Sequence, residues 1–130
     1  NDMLDFVREC VQSANWGGRV PLILVSAQYN IYNEYLASSE RRNYWKQPAV
    51  WADIQSAYEK FFQINPNVTG NYRAYYAWYA YQAEDWDTLN ELIPQISPDD
   101  YYVFGGKDEF DRIAQLAKEH AAASTAATPQ

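Results

Sequence analysis

An all-α fold is predicted by three observations. Six segments repeat apolar residues at the 3.6-residue helical period, and none carries a convincing strand alternation. One pattern of large apolar residues also returns after 35 residues, a spacing that marks stacked helix pairs. The expected architecture is about six helices in antiparallel hairpins, forming a short solenoid or bundle. A chain of 130 residues suits one domain rather than two. Residues 1–120 are therefore expected to form one helical domain. The Ala/Thr-rich segment 121–130 is low in complexity and is expected to be a flexible tail.

The first helix is expected over 3–14, with Met3, Phe6, Val7, Cys10, Val11 and Ala14 on one stripe. Asp2 is its expected N-cap and Trp16-Gly17-Gly18 its end. Pro21 suits the first position of the second helix. Leu22, Val25, Tyr29, Tyr32 and Leu36 form one stripe there, and Leu24, Ala27, Ile31 and Tyr35 another, so both sides should be covered. Residues 38–47 are polar and read as a loop. The third helix runs from about Pro48 or Val50 to Gln63, with Trp51, Ile54, Tyr58 and Phe61 inward, and Asn65-Pro66-Asn67 stops it.

The fourth helix spans about 70–83, with Thr69 as its expected cap. Tyr72, Tyr75, Tyr76 and Tyr79 follow core spacing, while Ala77 and Ala80 allow close helix approach. The fifth starts near Asp85 and carries Trp86, Leu89, Leu92, Ile93 and Ile96. Pro94 should end or kink it by removing a backbone donor. Residues 97–106 read as an aromatic loop. A sixth helix begins near Asp108 with Phe110, Ile113, Leu116 and Ala117 inward.

Composition excludes several functions. One His and one Cys cannot build a zinc cluster or a disulfide framework. No metal and no cofactor is expected. Ten basic against 17 acidic side chains give a net charge of −7, and the cations are scattered. Nucleic acid and anionic membrane surfaces are therefore not expected partners. No apolar run approaches the ~20 residues of a membrane helix, so membrane insertion is not expected. The chain starts at Asn1 without a signal-peptide pattern and reads as a processed chain or a piece of a longer one. The lone Cys10 favours the cytoplasm and leaves the periplasm open.

The repeat aligns Trp51, Ile54, Tyr58 and Phe61 with Trp86, Leu89, Ile93 and Ile96. In stacked arrays one hairpin cannot bury its own apolar face, so neighbours share a core. Trp51, Ile54, Tyr58 and Pro66 keep the spacings of the second helix of a tetratricopeptide repeat (TPR). Glu84-Asp85-Trp86 resembles that family's tight interhelical turn, with Glu84 where glycine is usual. Arg73, Tyr76, Ala77 and Ala80 depart from the first-helix signature. Over about 20–96 the chain thus resembles a divergent TPR-like helical-hairpin protein. It is also similar to the C-terminal region of bacterial proteins with TPR-like repeats, which implies a bacterial source and supplies no activity.

Candidate sites are few. Trp78, Tyr81, Tyr101, Tyr102 and Phe104 lie off the main stripes and are the candidate binding aromatics, since flat amphipathic rings stack on ligands. Trp51, Ile54, Tyr58, Trp86, Leu89 and Ile93 are expected to be structural anchors. The acidic groups Glu84/Asp85/Asp87, Asp99/Asp100 and Asp108/Glu109/Asp111 mostly stand at helix starts, where carboxylates offset the dipole. None matches a calcium loop. Cys10 and His120 would form a catalytic pair only if the end helices met, and Cys10 lies on an apolar stripe. Gly17-Gly18 and Gly105-Gly106 lack the rest of a phosphate loop and read as turns. Asn33, Arg41, Arg42 and Arg73 could line a groove.

No catalytic constellation stands out. The expected role is a non-enzymatic helical-repeat domain that mediates protein–protein interaction or scaffolds a larger bacterial assembly. Its partner would be another protein or complex, with self-association open. The alternative is small-ligand or glycan binding through the exposed aromatics.

Overall fold

A computed structural model describes residues 2–12, 20–41 and 43–127. It is all-α, with no strand among the described residues. The α-helices are α1 (Asp2–Gln12), α2 (Ile23–Glu34), α3 (Ser38–Arg41), α4 (Pro48–Ile64), α5 (Tyr72–Ala83), α6 (Trp86–Leu92) and α7 (Lys107–Ala127). Short 3₁₀ helices occupy Val20–Leu22, Tyr44–Lys46, Ile93–Gln95 and Pro98–Phe104. The chain divides into two compact units, Asn1–Val68 and Thr69–Gln130.

In the first unit α1 packs on α2 and α4, and α2 packs on α4. Leu4 and Val7 of α1 are buried, as are Leu24, Val25 and Ala27 of α2. Val50, Ile54, Ala57, Tyr58 and Phe61 of α4 are buried too. Pro48 opens α4, where its fixed φ suits the first turn and its missing N–H costs nothing. The expected burial of two α2 stripes is partial in both: Val25 of one and Leu24 and Ala27 of the other are buried, while Tyr29 of the first and Tyr35 of the second are exposed.

Residues 38–47, expected as a loop, carry α3 and a 3₁₀ turn. The Glu40 side chain accepts from the Ala37 N–H at 3.0 Å, a local cap for α3. Tyr44 and Trp45 are buried at 6% and 3% exposure and anchor the turn. The Trp16-Gly17-Gly18 stop, the Gly17-Gly18 turn and Arg42 lie outside the described residues. Asp2 is the first residue of α1 rather than its N-cap.

In the second unit α5 packs on α6, α6 on α7, and the 98–104 helix on both α5 and α7. Ala77 and Ala80 are fully buried, the close-approach positions expected of them. Tyr76 and Tyr79 are buried as well, but Tyr75 is 40% exposed. The buried arc of α5 runs through Ala74, Tyr76, Ala77, Tyr79 and Ala80, and Tyr75 falls outside it on the opposite side of the helix. Asn71, not Thr69, precedes α5, and its side chain makes no cap.

α6 begins at an Asp85 cap, whose carboxylate accepts from Thr88 N at 3.2 Å and Thr88 Oγ1 at 2.9 Å. It ends at Leu92, and Pro94 sits in the 3₁₀ turn that follows, as its missing donor requires. Residues 98–104, expected as a loop, form a 3₁₀ helix that buries Phe104. α7 starts at Lys107, so Asp108 lies within its first turn. It runs on through Ala127, into the segment assigned to the tail, since alanine is the best helix former. Residues 128–130 lie outside the described residues.

Two elements of this unit end in the same backbone motif. Glu84 N donates to Tyr81 O at 3.0 Å and Asp85 N to Ala80 O at 2.9 Å. Gly105 N donates to Tyr102 O at 3.0 Å and Gly106 N to Tyr101 O at 3.1 Å. Both are Schellman pairs, which demand a left-handed residue at the first position. Gly105 (φ 99°) holds it freely, whereas Glu84 holds it at φ 58° with a side chain in place. Glu84→Gly should therefore stabilise the chain by about 1 kcal/mol, read as a raised urea midpoint. A lowered midpoint would show that the Glu84 side chain outweighs the strain.

Candidate functional site

A polar network lies in the core of the first unit. It joins side chains from four elements. Asp53 stands on the buried face of α4, between Val50 and Ala57, one turn from each. Its carboxylate accepts from Arg8 Nε of α1 at 2.9 Å (Oδ1) and 3.1 Å (Oδ2), and from Arg8 Nη2 at 2.7 Å. Gln28 Nε2 of α2 donates to Oδ2 at 2.7 Å. Tyr44 completes the chain by donating its hydroxyl to Gln28 Oε1. Gln28 and Asp53 are both buried. A buried carboxylate needs several donors to offset its lost hydration, and these supply them.

The electrostatics follow from that packing. Arg8 is raised above its ordinary value, chiefly by the hydrogen bond to Asp53, against desolvation. Its Nη1 also donates to Asp5 at 3.0 Å. Burial raises the Tyr44 hydroxyl above its ordinary 10.0, and the Asp53 charge adds to this while Arg8 opposes it. The folded chain thus favours neutral Tyr44, and the unfolded chain loses that proton first. Stability from Tyr44 is complete below about pH 10 and is lost as pH rises through the folded value. Wild type should lose more stability than Tyr44→Phe between about pH 9.5 and 11; equal losses in urea titrations at each pH would exclude the effect.

This arrangement is suited to holding rather than to chemistry. Asp53 is engaged by Arg8 and Gln28, and the Gln28 amide bridges an acceptor and a donor. Nearby, Tyr29, Tyr32, Tyr44 and Trp45 form an aromatic cluster, with Tyr32–Trp45 ring centroids 5.1 Å apart. Arg41 lies 5.5 Å over the Tyr32 ring, and its Nη2 donates to Asn33 O at 2.6 Å. Two of the proposed groove residues, Asn33 and Arg41, are therefore brought together. Arg73, in the other unit, instead donates from Nε to Gln95 Oε1 at 3.2 Å.

The candidate aromatics take different positions. Trp78 is half-buried, edge-on to Tyr79 at 5.2 Å. Tyr81 is edge-on to Trp86 at 6.2 Å, and its hydroxyl accepts from Arg112 Nη2 at 3.3 Å. Tyr101 stacks on Phe110 at 4.0 Å, and Phe104, expected to be available to a ligand, is buried edge-on to the same ring at 5.3 Å. The reason is the unexpected 3₁₀ helix, which turns Phe104 inward. Tyr102 points outward at 59% exposure, and its hydroxyl accepts from Asn71 Nδ2 at 2.7 Å.

Three of the four repeat pairs show matched burial. Ile54 and Leu89 are both at 0% exposure, Trp51 and Trp86 are both half-buried, and Phe61 and Ile96 are both buried. Tyr58 is buried where Ile93 is half-buried. His120 is exposed and lies flat on Trp86, with centroids 4.1 Å apart and planes within 4°. The Cys10 side chain lies outside those described. In α7 Lys107 pairs with Asp111 at 2.6 Å and Arg112 with Glu109 at 3.0 Å, so two of the helix-start carboxylates form ion pairs within the helix.

Among the described residues no three His, Cys, Asp or Glu side chains are grouped to hold a metal ion. No helix among them is long and apolar enough to cross a membrane. No family model, curated protein or solved structure matches the chain.

Only one signal in the sequence pointed towards the Asp53 network. Asp53 interrupts the apolar stripe of α4, and a carboxylate on a core face requires partners. Arg8 and Gln28, respectively 45 and 25 residues away, carry no such mark.

Proposed function

We propose that the chain is a non-enzymatic, divergent TPR-like helical-repeat module that binds another protein or scaffolds a larger assembly. The observation that carries this is the matched burial of Ile54 with Leu89 and of Phe61 with Ile96, 35 residues apart. Repeat modules of this kind use equivalent residues to build a shared core and leave the remaining helix faces to partners. The two-residue turn at Glu84-Asp85 between α5 and α6 supports a hairpin unit of that design. The long, charged outer surface of α7, with Lys107, Asp111, Arg112, Lys118 and Glu119 exposed, suits a terminal cap.

Affinity purification of the tagged chain from its native source tests the proposal. One or more proteins should be retained at stoichiometric level. A chain that stays monomeric and retains none at micromolar concentration would refute it.

A further inference from the structure

Exposed aromatic rings and unbalanced charge coincide in the second unit. Tyr75 of α5 is 40% exposed and Tyr102 of the 98–104 helix is 59% exposed. Asn71 Nδ2 donates to Tyr102 Oη at 2.7 Å, and Tyr75 stands four residues, about one helical turn, further along the chain from Asn71. Side chains at i and i+3 of a 3₁₀ helix eclipse one another, so exposed Asp99 shares the face of Tyr102. Residues 69–130 carry ten acidic against four basic side chains, whereas residues 1–68 carry seven against six. The excess of negative charge therefore belongs almost wholly to this unit. Arg73, the cation on α5, stands about 200° round the helix from Asn71 and is bonded to Gln95.

We propose that the Tyr75–Asn71–Tyr102–Asp99 face of the second unit docks an arginine-bearing segment of a partner protein. This rests on the protein-binding reading and names the chemistry of the partner. A guanidinium is planar and weakly hydrated, stacks on an aromatic face and presents a fork of donors to a carboxylate. Tyr102 and Asp99, one 3₁₀ turn apart on the same helix face, supply those two complements. A lysine ammonium is a point charge that gains less from the ring, and an anionic partner is repelled by the unit's charge.

The test uses the full chain and fluorescein-labelled hepta-arginine, with hepta-lysine as comparison, at physiological ionic strength. Hepta-arginine should bind more tightly than hepta-lysine. Tyr75→Ala and Tyr102→Leu should each weaken the arginine probe by about two- to fivefold, and together by about tenfold. Tyr102→Phe keeps the ring and should stay within about twofold of wild type. Tyr35→Ala, at an exposed ring of the first unit, should change nothing. Equal affinity for both probes, or tyrosine variants that bind like wild type, would reduce the effect to general attraction between polyions and overturn the proposal. Displacement of the probe by a neutral oligosaccharide would overturn it in favour of a sugar site. If a native partner is retained while tyrosine dependence is absent, this docking face fails and the protein-binding reading stands. If no partner is retained from the native source, that reading fails first.

Discussion

Asp53→Ala is expected to destabilise the chain by about 3 kcal/mol. The substitution strips the guanidinium of Arg8 and the amide of Gln28 of their shared acceptor and leaves Tyr44 tied to a reoriented partner. The side chains of Asp53 and Arg8 are 11% and 36% exposed, so Arg8 regains part of its hydration and the cost stays below that of a fully buried orphan charge. For the same reason Arg8→Ala should cost more than Asp5→Ala but less than Asp53→Ala. Urea unfolding at neutral pH reads these differences as shifts in midpoint at constant slope. A cost for Asp53→Ala within about 0.5 kcal/mol of an exposed-site substitution would mean that the network holds nothing in place.

Ile54→Ala and Leu89→Ala should each cost about 3 kcal/mol, the usual penalty for removing three methylene equivalents from a site that cannot collapse. Both residues are completely buried, one on α4 and one on α6. If they are equivalent anchors of a repeat, the two costs should agree within about 1 kcal/mol. Thermal melts of the single variants decide the matter. A cost below about 1 kcal/mol at either position would remove that residue from the anchor set.

The long helices were legible because period and punctuation agreed in each. Pro48 opens α4, Pro94 follows the end of α6, and Ile54, Tyr58 and Phe61 of the one and Leu89 and Leu92 of the other are buried as their spacing predicts. The failures share a cause. Tyr44 and Trp45 are adjacent aromatics inside a polar run, so no period flags them, although both reach the core. Phe104 lies in a segment whose Pro, Asp and Gly content signals a turn, and only packing against Phe110 reveals that the turn is helical. Tyr72, Tyr75, Tyr76 and Tyr79 fit the core spacing, but the small residues Ala74, Ala77 and Ala80 draw the buried arc of α5 to their side and leave Tyr75 outside it. The Arg8–Asp53 pairing spans 45 residues and is created by helix packing, which no local pattern encodes. Of the candidate aromatics, the sequence could identify amphipathic rings but not which way a 3₁₀ helix would turn them: Tyr102 faces out and Phe104 faces in.

The end of that 3₁₀ helix carries a constraint of a different kind. Gly106 holds φ 116°, and a side chain built there would meet nothing within 4 Å. Size is therefore no obstacle at this position, and the residue is selected for its lack of handedness. An L-amino acid of any volume is strained there, while a residue of the opposite chirality takes the same φ naturally. The link into α7 thus tests the stereochemistry of the chain, not the room around it.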